Sequence, residues 1–127
     1  QQTADVFLYS IGAVNAGIPS HVYTHGYLEP EDVEELSGQG VVGDLATVFF
    51  RSDGSFDDVP LNNRASGPPL DLYKQAKRAV CVVSGYAKID GLLAALRAQY
   101  MSELIVDEPT ARLLCKKAAC LPEEDGR

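Results

Sequence analysis

The 127 residues carry 11 Lys and Arg against 18 Asp and Glu, a formal net charge of −7, which disfavours gripping a nucleic-acid phosphate backbone. The chain is 46% hydrophobic and 23% charged, an ordinary balance for one globular domain over residues 1–127 with a real core. No apolar run has the length of a membrane span and none has the pattern of a secretory signal, so no membrane partner is expected. Three cysteines with no Cys-x-x-Cys spacing read as reduced thiols of a cytoplasmic protein.

Asp5 to Gly12 is a nearly continuous apolar run that ends in Gly, the pattern of a buried parallel strand. Such a strand needs neighbours on both sides, so a chain that begins with one reads as part of a larger sheet. Val14 to Gly26 is irregular, broken by Gly17, Pro19 and Gly26. His21 and His25 stand four apart, a spacing that holds metal on a helix. No Glu follows His21 and no third ligand is evident, so no metal or other cofactor is expected. His25 is instead a candidate to line a cleft from a loop. Glu29 to Leu36 is a short acidic helix with Pro30 in its first turn.

The most informative stretch is Gly40-Val41-Val42-Gly43-Asp44, followed by an apolar run through Phe49-Phe50 to Asp53-Gly54. Glycines admit close backbone approach to a ligand, or positive φ. Asp44 either accepts hydrogen bonds from ligand hydroxyls or caps local N–H groups in a turn. Leu45 to Arg51 is expected as a strand, Ser52 to Ser55 as a hairpin turn, and Phe56 to Leu61 as a return strand at an edge, given Pro60. Arg64 either pairs with an anion or with Asp44, or clamps its loop.

Leu70 to Gln75 makes a helical turn, and Arg78 to Gly85 a second buried strand that again ends in Gly. Tyr86 to Lys88 opens a helix over Ile89–Ala98, with Ile89, Leu92, Leu93 and Leu96 on one face. A strand, a Gly turn and a helix start form a ready anion site. Lys88 opposes the helix dipole there; it is either a cation placed for an anion or an exposed Lys with a small cost. Glu103 to Val106 is a third strand. Asp107 caps a last helix running to about Cys120, ahead of a polar tail.

This alternation predicts an α/β fold: a mostly parallel sheet with helices on both faces and right-handed crossovers. Ligands of such sheets bind beyond the carboxyl ends of the strands. Gly12, Gly85 and Asp107 fall there, with Asp44 in reach.

These segments together resemble the effector-binding domain of the SorC family of bacterial transcriptional regulators. The resemblance rests on Gly40-Val41-Val42-Gly43-Asp44, Phe49-Phe50, Asp53-Gly54, Asn62-Asn63-Arg64, Ser84-Gly85-Tyr86-Ala87-Lys88 and Asp107-Glu108-Pro109-Thr110-Ala111. Thr47, Val48 and Arg51 stand where the family has Gly, Arg and Asp, and Ser84 and Val106 replace a Gly and a Thr. The resemblance implies a Rossmann-like fold related to sugar-phosphate isomerases, of which these residues form the C-terminal half. It places a DNA-binding helix-turn-helix and a first phosphate loop upstream, so DNA is reached only through a missing N-terminal domain. It implies a phosphorylated sugar effector bound without turnover, with Lys88 on the phosphate; Gly12, His25, Asp44 and Gly85 are the further candidates to line the effector site. A homo-oligomer is expected. The competing expectation is a sugar-phosphate isomerase or deaminase of related fold; Asp44 could serve as its base, but no second acid–base partner has convincing spacing.

Overall fold

The computed structural model describes residues 3–14 and 26–119. Within them, strand β1 (Val6–Tyr9) pairs in parallel with β5 (Arg78–Val83), and β5 pairs in parallel with β6 (Glu103–Val106). The order is β1-β5-β6, with β5 central. A second, antiparallel sheet has the order β2-β3-β4, formed by Gly12–Ala13, Val41–Leu45 and Val48–Arg51. The helices are α1 (Pro30–Gly38), α2 (Asp71–Gln75), α3 (Ile89–Arg97) and α4 (Glu108–Ala119).

The parallel sheet and the last two helices follow the apolar periodicity. Ile89, Leu92, Leu93, Ala94 and Ala95 of α3 pack with Ala79, Cys81 and Val83 of β5 in one core, which Leu114 of α4 joins. Tyr73 of α2 stacks against Phe7 and Tyr9 at ring distances of 4.9 and 4.7 Å. Phe49 and Phe50 point to opposite faces of the second sheet, as adjacent strand residues must. Phe50 enters the main core and Phe49 a smaller one with Leu36, Val41, Val59 and Leu61 under α1. Burying each contributes about 1.5–3 kcal/mol.

Three expectations are corrected. First, the sheet is not a single mostly parallel one, and its helices sit on one face. Among the described residues α2, α3 and α4 all contribute to the core on the Phe7, Cys81 and Val83 side. Val6, Leu8, Val82 and Ile105, on the other face, are exposed. The first strand is therefore not buried, and it ends at Tyr9; Gly12 belongs to β2.

Second, Leu45 to Arg51 is not one strand. The chain turns at Ala46 and Thr47, both at positive φ (46° and 72°), so that Leu45 faces Val48 across a tight hairpin. Two positive-φ residues are what such a turn needs, and neither Ala nor Thr advertises it.

Third, Phe56 to Leu61 forms no return strand. The Asn62 side chain takes its place. Phe49 N–H donates to Asn62 Oδ1 at 2.7 Å, and Asn62 Nδ2 donates to the Phe49 carbonyl at 2.9 Å. One amide thus satisfies the groups a neighbouring strand would have met. Pro60 opens a 3-10 helix over Pro60–Arg64 instead. The Ser52–Ser55 turn does form, with Arg51 N–H donating to the Ser55 carbonyl at 2.8 Å. The Tyr100 hydroxyl anchors it through the Gly54 carbonyl.

Candidate functional site

The carboxyl ends of the parallel strands share one rim, and the chain leaves it through Ser10-Ile11-Gly12, Ser84-Gly85 and Asp107. Gly12 pairs directly with Asp44 across the β2–β3 ladder. No larger residue fits there, because a Cβ on Gly12 would collide with Asp44 Oδ1. Gly43 is equally constrained: its Cβ would come within 2.6 Å of the Gly12 carbonyl. Gly43 thus lets one strand approach another, rather than a ligand.

Asp44 lies within strand β3 and is only 5% exposed. Its Oδ2 accepts the Thr47 N–H at 3.3 Å, while Oδ1 has no hydrogen-bond partner. Burial pushes its carboxyl above the usual range; the Thr47 N–H and the Lys88 charge oppose that rise. Capping the turn and awaiting a donor are thus divided between the two oxygens of one carboxylate. A buried carboxylate oxygen without a donor is costly and marks a place where a ligand group or water belongs.

Lys88 closes the 3-10 turn Tyr86–Lys88 and caps α3. It is half-buried and makes no ion pair among the described residues. Its charge is felt at Asp44 and at Cys81. The first N–H groups of this turn find no intrahelical acceptor, as at any helix start. Lys88 also lines a hollow of about 470 Å³ with Val82, Ser84, Ile105, Val106 and Asp107.

Gly85 adopts φ 113°, which a side chain would resist. Its N–H is not free for an anion, since it donates to Thr110 Oγ1 at 3.1 Å. Thr110 is 1% exposed and lies on α4, whose start Asp107 caps through the Thr110 N–H at 3.2 Å. Hydrogen bonds from Thr110 and Ser84 hold the Asp107 carboxyl below its usual range. Thr110 thus ties the Gly85 loop to the last helix. Its place in the Asp107–Ala111 segment signals the residue but not that tie.

Arg64 neither meets Asp44 nor stands free. It donates to the Tyr27 carbonyl at 3.1 Å and pairs with Asp32 at 3.5 Å, so it clamps its loop to α1. Gly12, Asp44 and Lys88 therefore come together, with Gly85 shaping the adjoining loop. His21 and His25 lie outside the described residues. Among the described residues no cluster of His, Cys, Asp or Glu could hold a metal ion, and no helix is long and apolar enough to cross a membrane.

The family described as "Putative sugar-binding domain" matches residues 1–116. The deoxyribonucleoside regulator of Bacillus subtilis is 30% identical over 111 residues, covering 87% of this chain and 34% of its own length. The sorbitol operon regulator of Klebsiella pneumoniae is 27% identical, covering 88% and 35%. The chain thus spans about a third of the length of these curated relatives. Among solved structures, a domain of a possible sugar-binding transcriptional regulator from Arthrobacter aurescens superposes with a TM-score of 0.80 at 46% identity, over 91% of this chain and 44% of that one. The full-length sorbitol operon regulator SorC of Klebsiella pneumoniae gives 0.79 at 26% identity, over 89% and 36%. The matched family and these relatives are regulatory proteins rather than enzymes.

Proposed function

The chain belongs to the sugar-binding domain family of SorC-type transcriptional regulators, and from that premise we propose that it senses a phosphorylated sugar without turning it over. The observation that carries this reading is the buried Asp44 carboxylate over Gly12, with one oxygen unpartnered, in the field of a Lys88 that makes no ion pair among the described residues. A carboxylate suits neutral hydroxyls and repels phosphate, whereas a cation at a helix start suits phosphate. Lys88 and the N–H groups of Tyr86 and Ala87 take the phosphate; Asp44 takes sugar hydroxyls; Gly12 and Gly85 shape the walls. His25 is a further candidate for the effector site in the same reading.

The 127 residues act as the C-terminal half of the effector domain of a cytoplasmic, homo-oligomeric regulator. DNA is contacted by sequence outside them, consistent with the net charge of −7. Calorimetric titration of the full gene product with a panel of sugars and their phosphates tests the reading, with phosphorus NMR of the same mixtures. Saturable binding of a phosphorylated sugar with an unchanged phosphorus spectrum is expected. Conversion of the ligand, or equal indifference to every phosphate, contradicts it.

A further inference from the structure

The last helix has little apolar anchorage. Six of the nine residues of α3 are buried, but of the twelve in α4 only Thr110 and Leu114 are, with Leu113 partly buried beside them. One of the two is polar, and Thr110 is 1% exposed. A buried hydroxyl is tolerated where it has hydrogen bonds to make, and Thr110 Oγ1 accepts the Gly85 N–H at 3.1 Å. An element with few buried apolar contacts is among the first parts of a fold to open.

Among the described residues, the polar ties of α4 to the rest of the domain all run to one short stretch, residues 84–90. Asp107, which caps α4 through the Thr110 N–H at 3.2 Å, also takes a hydrogen bond from the Ser84 side chain. Near the other end of α4, Lys117 pairs with Asp90, in the first turn of α3 and two residues beyond Lys88. Gly85 stands between the helix and the turn. Its N–H goes to Thr110, while its carbonyl accepts the Lys88 N–H at 3.2 Å and so closes the Tyr86–Lys88 turn. At φ 113° it has no side chain to hold that conformation; the hydrogen bond to Thr110 does so.

We infer that Thr110 is a positioning residue through which the order of the Tyr86–Lys88 turn and the seating of α4 form one equilibrium. Whatever orders the turn seats the helix, and whatever loosens the helix disorders the turn, since coupling between two sites is reciprocal. The consequence for sensing rests on the phosphate reading above: an anion held by the turn tightens α4, which makes that helix the element that responds to effector. Thr110 acts through Gly85 and touches no ligand.

Amide hydrogen exchange of the full gene product tests this, without ligand and in inorganic phosphate. Lys116 is exposed on α4, away from the turn. In ligand-free protein Lys116→Gly should speed exchange at the Lys88 amide roughly threefold, from the lower helix propensity of Gly. In a Thr110→Val background the same substitution should leave the Lys88 amide unchanged, and in Thr110→Ser, which keeps the hydroxyl, the parent's response should return. A Thr110 that merely adds stability would leave the response to Lys116→Gly intact in all three. Inorganic phosphate should slow exchange along α4 in the parent and not in Thr110→Val. A Lys88 amide indifferent to Lys116→Gly in the parent overturns the coupling. A response that persists in Thr110→Val also overturns it and assigns the tie to Lys117 and Asp90. Phosphate that protects Lys88 in the parent but leaves α4 unchanged overturns it as well. Phosphate that protects neither, with the Lys116→Gly responses as expected, upholds the coupling and contradicts the phosphate reading alone.

Discussion

The Asp44 carboxylate stands directly over the Cα of Gly12, so that any side chain at Gly12 would strike Oδ1. The two residues are 32 positions apart and belong to different strands, yet each sets the other's identity. Gly12→Ala should force the carboxylate aside or open the β2–β3 pair. Overpacking of this kind costs roughly 1–3 kcal/mol. Denaturant unfolding should show that loss, and sugar titration of the full gene product should show weakened binding of sugars with and without phosphate.

Thr47 sits at φ 72° with its hydroxyl buried and unpartnered. A β-branched residue resists that conformation, at about 1–2 kcal/mol. Glycine adopts it freely but gives back part of the gain through unfolded-chain entropy. Thr47→Gly should therefore stabilise the protein by about 1 kcal/mol net. A lower midpoint in urea would show that the Thr side chain makes contacts worth more than the strain.

Burial raises the Asp44 carboxyl above its ordinary value of 3.8. Between that value and the raised one, the folded protein holds a proton the unfolded chain has released. Its contribution to stability is therefore full below 3.8, declines as pH rises through the folded value, and stays reduced above it. Asp44→Asn should remove that decline and raise the thermal midpoint of the unliganded protein at neutral pH. Thermal scans of both proteins across acid and neutral pH measure the difference; a variant less stable at neutral pH than the parent contradicts the burial argument. A more stable variant means that the site holds a carboxylate kept at a cost to stability.

Thr110→Val keeps the shape of a fully buried side chain and removes the acceptor for the Gly85 N–H. An amide left without a partner there costs roughly 1–3 kcal/mol. Amide exchange at Gly85 should accelerate, and the Lys88 turn behind it should loosen. Unchanged exchange would mean that the loop is held by other contacts.

What could be read before the fold was known divides along physical lines. The β5 and β6 strands and the α3 and α4 helices carry long periodic apolar patterns, and Gly85 and Asp107 punctuate them with residues suited to turns and caps. The Ala46–Thr47 hairpin was illegible because its positive φ values fall on residues that rarely adopt them. The return strand failed because one side-chain amide, Asn62, satisfied Phe49 more locally than a strand could. Asp44 was legible as a candidate from its motif. Its burial, and the use of Gly43 for packing against β2, depended on a pairing that local sequence does not encode. The bare sheet face was hidden because Val6, Leu8, Val82 and Ile105 look like core in sequence.

The proposed division of labour between Lys88 and Asp44 is tested most directly by calorimetric titration of the full gene product with one sugar and its phosphate. Lys88→Ala should weaken the phosphorylated sugar far more than the free one, by roughly 1.5–3 kcal/mol for a lost charge-assisted contact. Asp44→Asn should weaken both forms alike, since the hydroxyls are common to them. A Lys88→Ala protein that keeps its parent's preference for the phosphorylated form contradicts the account.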